Sequence, residues 1–366
     1  MKIIASAPNA VHTPDRQIDC YINTILPCAE QTLARLYGHV NSSMPYFQIF
    51  KSLEEVSSYV ERNEDQVICM LLFERKHGRV TVLNEGIMLD EATIDRFALR
   101  VFRLFPDVDV IGFHRVDIQL QQLSFPFQQH NATENFILPL PTTVEQYTAA
   151  LGKATRRNIK RYLGKLMLEH PSFECRFFSG SQIDRQDFST LLRMSQAKVL
   201  ERKARFAINP EYAEGLWKLA QKAGFVAVAT IDGKVCAGLI CFKVQSYYFA
   251  EVVAHDNDYD AYWLGTLCYY LTVCEAIRCG GSIFNMGQLH YDYKVRLLAS
   301  KHDLDRIEIY RSYRKCVAKI DCVLKMAVGR RVRKFKLWLQ KNPTSLITLS
   351  IKHLVYRAHQ ARTRLS

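Results

Sequence analysis

The chain has 366 residues, 48% of them hydrophobic and 11% aromatic, and a formal net charge of +13. That length suits two domains, and that apolar content fills packed cores, so a largely disordered chain is excluded. The charge is local: residues 311–366 hold 15 of the 49 basic side chains and one of the 36 acidic ones, Asp321, which leaves residues 1–310 with 34 basic against 35 acidic groups. Only the C-terminal segment is therefore a candidate for an anionic partner.

In chain order, Gln66 to Glu74 and Arg79 to Met88 read as apolar strands, rich in Val and Leu. Glu91 to Leu104 has helical spacing, with Ile94, Phe97, Ala98, Val101 and Phe102 on one face. Val108 to Val116 returns to strand. Phe125-Pro126-Phe127 and the stretch Leu138-Pro139-Leu140-Pro141 break the pattern and read as a linker. Thr142 and Thr143, each with Glu or Gln three residues on, open a helix through a capping box. Helical patterns follow over Thr155 to Arg161, over Phe188 to Leu200, and from Asn209-Pro210 to about Gly224. Phe225 to Ile231, the turn Asp232-Gly233, Val235 to Val244 and Tyr247 to Ala254 predict three antiparallel strands. A long apolar helix then runs from Gly265 to Gly280-Gly281, with short strands at Ile283 to Met286 and Leu304 to Ile309.

The stretch His255 to Arg296 carries the most chemistry. Strand, glycine turn, helix and strand follow one another, which puts backbone N–H groups at a helix start where an anionic or carbonyl group of a ligand is held. Trp263, Leu264, Gly265, Thr266 and Leu267 form this candidate donor loop, and a side chain at position 265 would block a pyrophosphate. Arg156, Arg157, Lys160 and Arg161 share one helix, Arg157 and Arg161 on one face and Arg156 and Lys160 on another. Such a basic face suits phosphate or carboxylate groups of a substrate, or is simply solvated. His255 and His290 flank the proposed cleft, and His290, Tyr291 and Tyr293 follow the last strand. No metal is expected, because no HExxH or His–Cys pairing occurs. Asp256, Asp258 and Asp260 alternate as in a calcium loop but lack its Gly and terminal Glu. No sequence around a Ser or Cys marks a covalent nucleophile.

The eleven cysteines include no CxxC pair, and Cys69, Cys236, Cys241, Cys268 and Cys274 lie in apolar runs. This pattern predicts reduced core thiols in a cytoplasmic protein. Residues 1–10 are too little for a signal peptide, and no run of about 18 apolar residues predicts a membrane span.

Residues 145–309 resemble the BioF2-like acetyltransferase domain of the GNAT superfamily, of the type associated with cellulose and exopolysaccharide synthesis. The likeness rests on Leu151 to Arg161, the hairpin Ala229 to Phe242, the turn Tyr259 to Leu267, and Phe284-Asn285-Met286-Gly287 followed by Tyr293-Lys294. Fem peptidyltransferases are related tandem proteins. The resemblance implies an α+β chain of two GNAT-like lobes, each a mixed, mostly antiparallel sheet flanked by helices. The expected limits are 1–140 for a degenerate N-terminal lobe, 141–310 for the acyltransferase lobe and 311–366 for a basic helical tail.

The implied activity is N-acyl transfer from acetyl-CoA or a longer acyl-CoA to an amine, with a sugar or polysaccharide precursor as acceptor. In that family's terms Lys294 lies in the cleft and stabilises the oxyanion, Glu251 is the general base, and Tyr293 or Tyr291 protonates the leaving thiolate. The usual GNAT phosphate loop, Gln/Arg-x-x-Gly-x-Gly/Ala, is met at one glycine. Tyr262 and Leu267 stand at its ends, which leaves acyl carrier protein or aminoacyl-tRNA open as donors. A Fem-like, aminoacyl-tRNA-dependent peptidyltransferase and a non-catalytic membrane scaffold are the rival readings. In the tail, Leu324, Val328, Val332, Phe335 and Leu339 alternate with Arg and Lys as a basic amphipathic helix. An anionic membrane surface, where the chain would be a peripheral protein, RNA, or packing on the body with solvated charges are its three open readings. The oligomeric state has no sequence signal.

Overall fold

The computed structural model describes residues 16–201, 208–288, 291–342, 345 and 350. They divide into two compact units, one made of the described chain up to Asn135 with His302–Lys336, the other of Phe136–Lys301 with the described residues from Leu337 on. Both are α+β, with a mixed, mostly antiparallel sheet flanked by helices.

The first unit opens with β1 (Arg16–Tyr21), α1 (Ala29–Tyr37), α2 (Met44–Phe50), β2 (Val56–Asn63), β3 (Gln66–Lys76), β4 (Arg79–Val82), α3 (Glu91–Leu104) and β5 (Val110–Val116). β6 (Phe127–Pro139) passes from this unit into the second. The second unit continues with α4 (Val144–Ala150), α5 (Lys153–Glu169), β7 (Glu174–Ser179), α6 (Arg185–Glu201), α7 (Pro210–Ala223), β8 (Gly224–Ile231), β9 (Lys234–Val244), β10 (Tyr247–His255), α8 (Leu264–Arg278), β11 (Ile283–Gln288) and α9 (Asp292–Arg296). The chain returns to the first unit through β12 (Ser300–Tyr310), followed by α10 (Tyr313–Ala318) and α11 (Ile320–Lys341).

In the first unit the strand order is β1-β2-β3-β4-β5-β12. All pairs are antiparallel except β4 with β5, which pair in parallel from Arg79↔Val110 to Thr81↔Gly112. A parallel pair needs a crossover, and α3 supplies it. Its apolar stripe, Ile94, Phe97, Ala98 and Val101, is buried on Tyr59, Phe73 and Phe113. In the second unit the order is β11-β10-β9-β8-β7, again antiparallel except for one pair, β10 with β11. Here α8 is the crossover. Leu264, Leu267, Cys268, Val273 and Ile277 bury it among sheet residues such as Ala227, Leu239 and Phe284.

Two strand expectations need correction. Of the segment read as a linker at 138–141, Leu138 and Pro139 are instead the last residues of the thirteen-residue strand β6. Phe136 and Leu138 point into the second core, and the backbone goes on bonding past Pro139, the Leu140 N–H donating to the Ser282 carbonyl at 2.8 Å. The strand predicted at 79–88 stops at Val82. Gly86 has φ +71° and Met88 is exposed, so the second half of that run is a turn. All eleven cysteines are free thiols.

Candidate functional site

β10 and β11 pair only from Tyr247↔Ile283 to Phe249↔Asn285. Beyond that point each strand follows its own course. β10 pairs on with β9, but its register slips between Ala250 and Val252, so Glu251 is the residue left over in a bulge. Its carboxylate is exposed and accepts a hydrogen bond from the Tyr212 hydroxyl at 3.2 Å. β11 turns at Gly287, φ +74°, where a Cβ would come within 2.9 Å of the Ala250 carbonyl. The Gly287 N–H donates to the Asn285 side chain at 2.8 Å. Ladder pairing thus ends at Phe249 and Asn285, and the exposed carboxylate of Glu251 stands two residues further along β10.

The first unit is the internal contrast. After β4 its chain stays bonded to β5: Gly86 N–H donates to Arg115 O at 2.7 Å and Asp117 N–H to Ile87 O at 2.8 Å. The start of α3 is closed by its own acids. Asp90 accepts from Thr93 N–H at 2.6 Å, and the Glu91 carboxylate takes the N–H groups of Gln121 and Gln122 at 2.6 and 2.9 Å. A helix start already holding carboxylates has no use for a phosphate. The start of α8 differs in each respect. It has no side-chain cap and no acid in its first turn, and its N-cap Trp263 sits in the left-handed region at φ 59°. Such backbone strain in a non-glycine residue collects at ligand sites.

The side chains of the predicted donor loop are mostly structural. Leu264 and Leu267 are core and Thr266 is buried, while Trp263 and Gly265 are half-buried. Gly265 has a physical reason to be glycine: a Cβ there would lie 2.9 Å from Nδ1 of His255. That ring is fixed in turn. Its Nε2 lies 3.1 Å from Asp260 Oδ1 and contacts the Lys198 ammonium, which itself pairs with Asp260 at 3.1 Å. Burial pushes the Asp260 carboxyl up, but the hydrogen bonds and charges of Lys198 and His255 together outweigh it and hold the group below the usual carboxylate range. Trp263 stands between two further groups, the Tyr162 ring at 5.7 Å and the Arg296 guanidinium at 5.8 Å. Lys198, Tyr162, Tyr212 and Arg296 escaped the sequence reading. Only the Lys-x-Arg spacing of Lys294 and Arg296 could have flagged Arg296.

Lys294 is 2% exposed. Its ammonium donates to the carbonyls of Gln288 at 2.6 Å and Gly287 at 3.2 Å, and lies over the rings of Phe136 at 5.3 Å and Tyr291 at 5.7 Å. It thus ties α9 to the end of β11. Tyr293 packs on Tyr269 at 5.3 Å and stacks on Tyr291 at 5.7 Å. Burial pushes the Tyr269 hydroxyl well above the usual phenol range, so it stays protonated. Arg156, Arg157, Lys160 and Arg161 are exposed on α5, over the buried Thr155 and Ile159. Arg156 donates to the Ala149 carbonyl at 2.6 Å, and Arg161 covers the Tyr162 ring at 4.5 Å. His290 lies outside the described residues. Among the described residues no group of three or more His, Cys, Asp or Glu side chains is placed to hold a metal, and no helix is long and apolar enough to cross a membrane.

With this geometry in view, the family comparison can be stated. Residues 153–295 match the family model described as an acetyltransferase (GNAT) domain. The segment, under half of the chain, runs from α5 to α9 and contains the strands β10 and β11, the bulge and the start of α8, so this part of the chain is similar to GNAT acetyltransferase domains, and the match supports an acyltransferase. Among solved structures, that of FemX superposes with a TM-score of 0.60 at 7% identity, covering 83% of this chain and 99% of that one, which shows a shared fold. L-PGS from Bacillus licheniformis (TM-score 0.47, 12% identity, 81% and 95% covered) and a tandem GNAT protein from the clavulanic acid biosynthesis pathway (0.40, 10%, 80% and 98%) are also similar. No curated protein matches the chain by sequence.

Proposed function

We propose that the second unit transfers an acyl group from a coenzyme A thioester to an amine, with a sugar or polysaccharide precursor as acceptor. The observation that carries this reading is the pairing of an uncapped, acid-free helix start, α8, with strands that part after Phe249 and Asn285. Backbone amides at the helix start suit the donor's pyrophosphate. Arg156, Arg157 and Lys160 are exposed cations on α5, whose Tyr162 reaches Trp263, and they suit further anionic groups of donor or acceptor.

A coenzyme A donor supplies an acyl group already activated as a thioester, so no enzyme nucleophile is needed. Glu251 takes the proton that the attacking amine must lose as the new N–C bond forms. Tyr212 orients that carboxylate through the bond to its hydroxyl. Lys294 keeps the end of β11 in place and adds a positive charge behind the developing oxyanion. Tyr291 and Tyr293 are the hydroxyls available to return a proton as the C–S bond breaks. The first unit, with its helix start closed by Asp90 and Glu91, has no donor role in this reading.

Titration calorimetry of the full chain with acetyl-CoA and longer acyl-CoA esters tests it. One of them should bind at one site per chain. An aminoacyl-tRNA-dependent, Fem-like peptidyl transfer is the second reading, favoured by the fold shared with FemX over most of both chains. Transfer from a charged tRNA with no acyl-CoA binding would select it. A decayed scaffold would bind neither donor.

A further inference from the structure

α11 presents two faces of opposite character. One face rests on the first unit. Val323 and Met326 are buried, Val323 beside Val110 and Tyr310. Gly329 approaches His130 so closely that a Cβ would stand 3.2 Å from its Nε2. Arg333 donates to Asn131 at 2.9 Å and pairs with Glu134 at 3.1 Å. The opposite face is Ile320, Leu324, Val328, Val332, Phe335 and Trp338, all between 41 and 57% exposed. Steps of three and four residues put these six side chains on one stripe of the helix. The packed face lies across the axis from it, so the packing of Val323, Met326 and Arg333 does not account for the exposure of Ile320, Leu324, Val328 and Val332.

The charges in and beside the stripe are basic except for Asp321. Lys325 and Lys336 border it on one side and Lys334 on the other, Arg331 lies within it, and all four are exposed. The helix carries a single acid, Asp321, 3.4 Å from Lys325. We propose that this face of α11 docks on a bilayer surface containing acidic phospholipids. The aliphatic and aromatic side chains would enter the acyl boundary and the cations would meet the headgroups. Nucleic acid would satisfy the cations but leave the aliphatic stripe in water. A second copy of this chain would satisfy the stripe but set like charges against each other. The inference is independent of which donor the second unit uses. Its consequence is an acyltransferase held at the surface where membrane-linked acceptors are found.

The test is co-sedimentation of the full-length protein with vesicles of phosphatidylcholine and phosphatidylglycerol, against vesicles of phosphatidylcholine alone. Binding to the anionic vesicles only, weakening as salt is raised, is the expected result. Leu324→Glu combined with Phe335→Glu should lower the partition coefficient at least about 30-fold. Lys325→Glu, Lys334→Glu and Lys336→Glu should each lower it by about fivefold. Thermal melting should be unchanged in all of them, because none of these side chains is buried. No binding to anionic vesicles overturns the proposal, as does binding that the Leu324→Glu/Phe335→Glu variant retains. So does a dimer in sedimentation equilibrium that the same variant dissolves, or RNA binding in the absence of vesicle binding.

Discussion

Replacing Lys294 with methionine separates its two jobs. Methionine keeps the length and apolar stem of the side chain but removes the ammonium, so the packing on Phe136 survives. What is lost is a pair of charge-assisted hydrogen bonds, 2.6 and 3.2 Å long, to the carbonyls of Gln288 and Gly287 at a site 2% exposed. Hydrogen bonds to a charged group contribute about 1.5–3 kcal/mol each, and removing a buried ammonium returns part of its desolvation cost. A net loss of about 2 kcal/mol follows, which in a unit of this size lowers Tm by roughly 4–8 °C. If the ammonium also stabilises the oxyanion, kcat should fall at least tenfold, about 1.4 kcal/mol of barrier, while the Kd for acyl-CoA changes little. Scanning calorimetry gives the first quantity, and steady-state rates with calorimetric donor binding give the second. A variant with lowered Tm but unchanged kcat would refute the electrostatic role and leave Lys294 as a tie between α9 and β11. An unchanged Tm would refute the reading of the carbonyl contacts.

Other perturbations probe the rest of the account. Glu251→Gln should lower kcat/KM by about 10²–10⁴ and remove the acid limb of the pH–rate profile, with no loss of melting temperature, since the side chain is exposed; a retained limb would move the base elsewhere. Gly265→Val should weaken acyl-CoA binding more than tenfold by crowding the helix start and displacing His255, whose ring lies where the new Cβ must go; calorimetric titration measures it, and undiminished binding would place the donor away from α8. The fold should lose stability in mild acid. Burial, with help from Arg115, lowers His39 to about 3, and burial, with help from Arg306, lowers His114 to about 4. Both start from about 6.5 in the unfolded chain. The unfolded state therefore binds protons first as pH falls, so the stability present in full above pH ~6.5 declines toward pH ~4, on the order of 2–3 kcal/mol for each histidine. Urea unfolding at pH 7.5 and 4.5 checks this, with His114→Asn reducing the difference; equal stability at the two pH values would contradict it.

The parts of the second unit that the sequence made legible are those set by local rules. The Asp232-Gly233 turn, the alternation on either side of it and the glycines bounding α8 are one-dimensional signals, and β8, β9, β10, α8 and β11 stand where those signals put them. Pro139 misled because a proline removes only its own N–H, and β6 runs up to it while Leu140 still donates to Ser282. The sequence reading assigns no element before Gln66, where α1, α2, β1 and β2 lie, and Leu33, Phe47, Val60 and Met70 of this region and β3 share one buried cluster. In the site, the sequence supplied the backbone features but not the partners. The bulge at Glu251 depends on register with β9, and the hydroxyl that reaches its carboxylate comes from Tyr212 on α7. The nearest neighbour of Gly265 is His255, a contact between residues ten apart that no spacing rule encodes. The tail helix was legible as amphipathic, but which stripe meets the body follows from Val323, Met326 and Arg333, on the side away from Leu324 and Phe335.

The claim underlying all of this is that the start of α8 in the second unit, and not the start of α3 in the first, receives the phosphates of an acyl thioester donor. Hydrogen–deuterium exchange of the full-length protein with and without acyl-CoA measures this directly. Protection should appear at residues 263–267 and at the parting ends of β10 and β11, and be absent at residues 90–94. Protection at residues 90–94, or none at residues 263–267 with saturating donor, would contradict it.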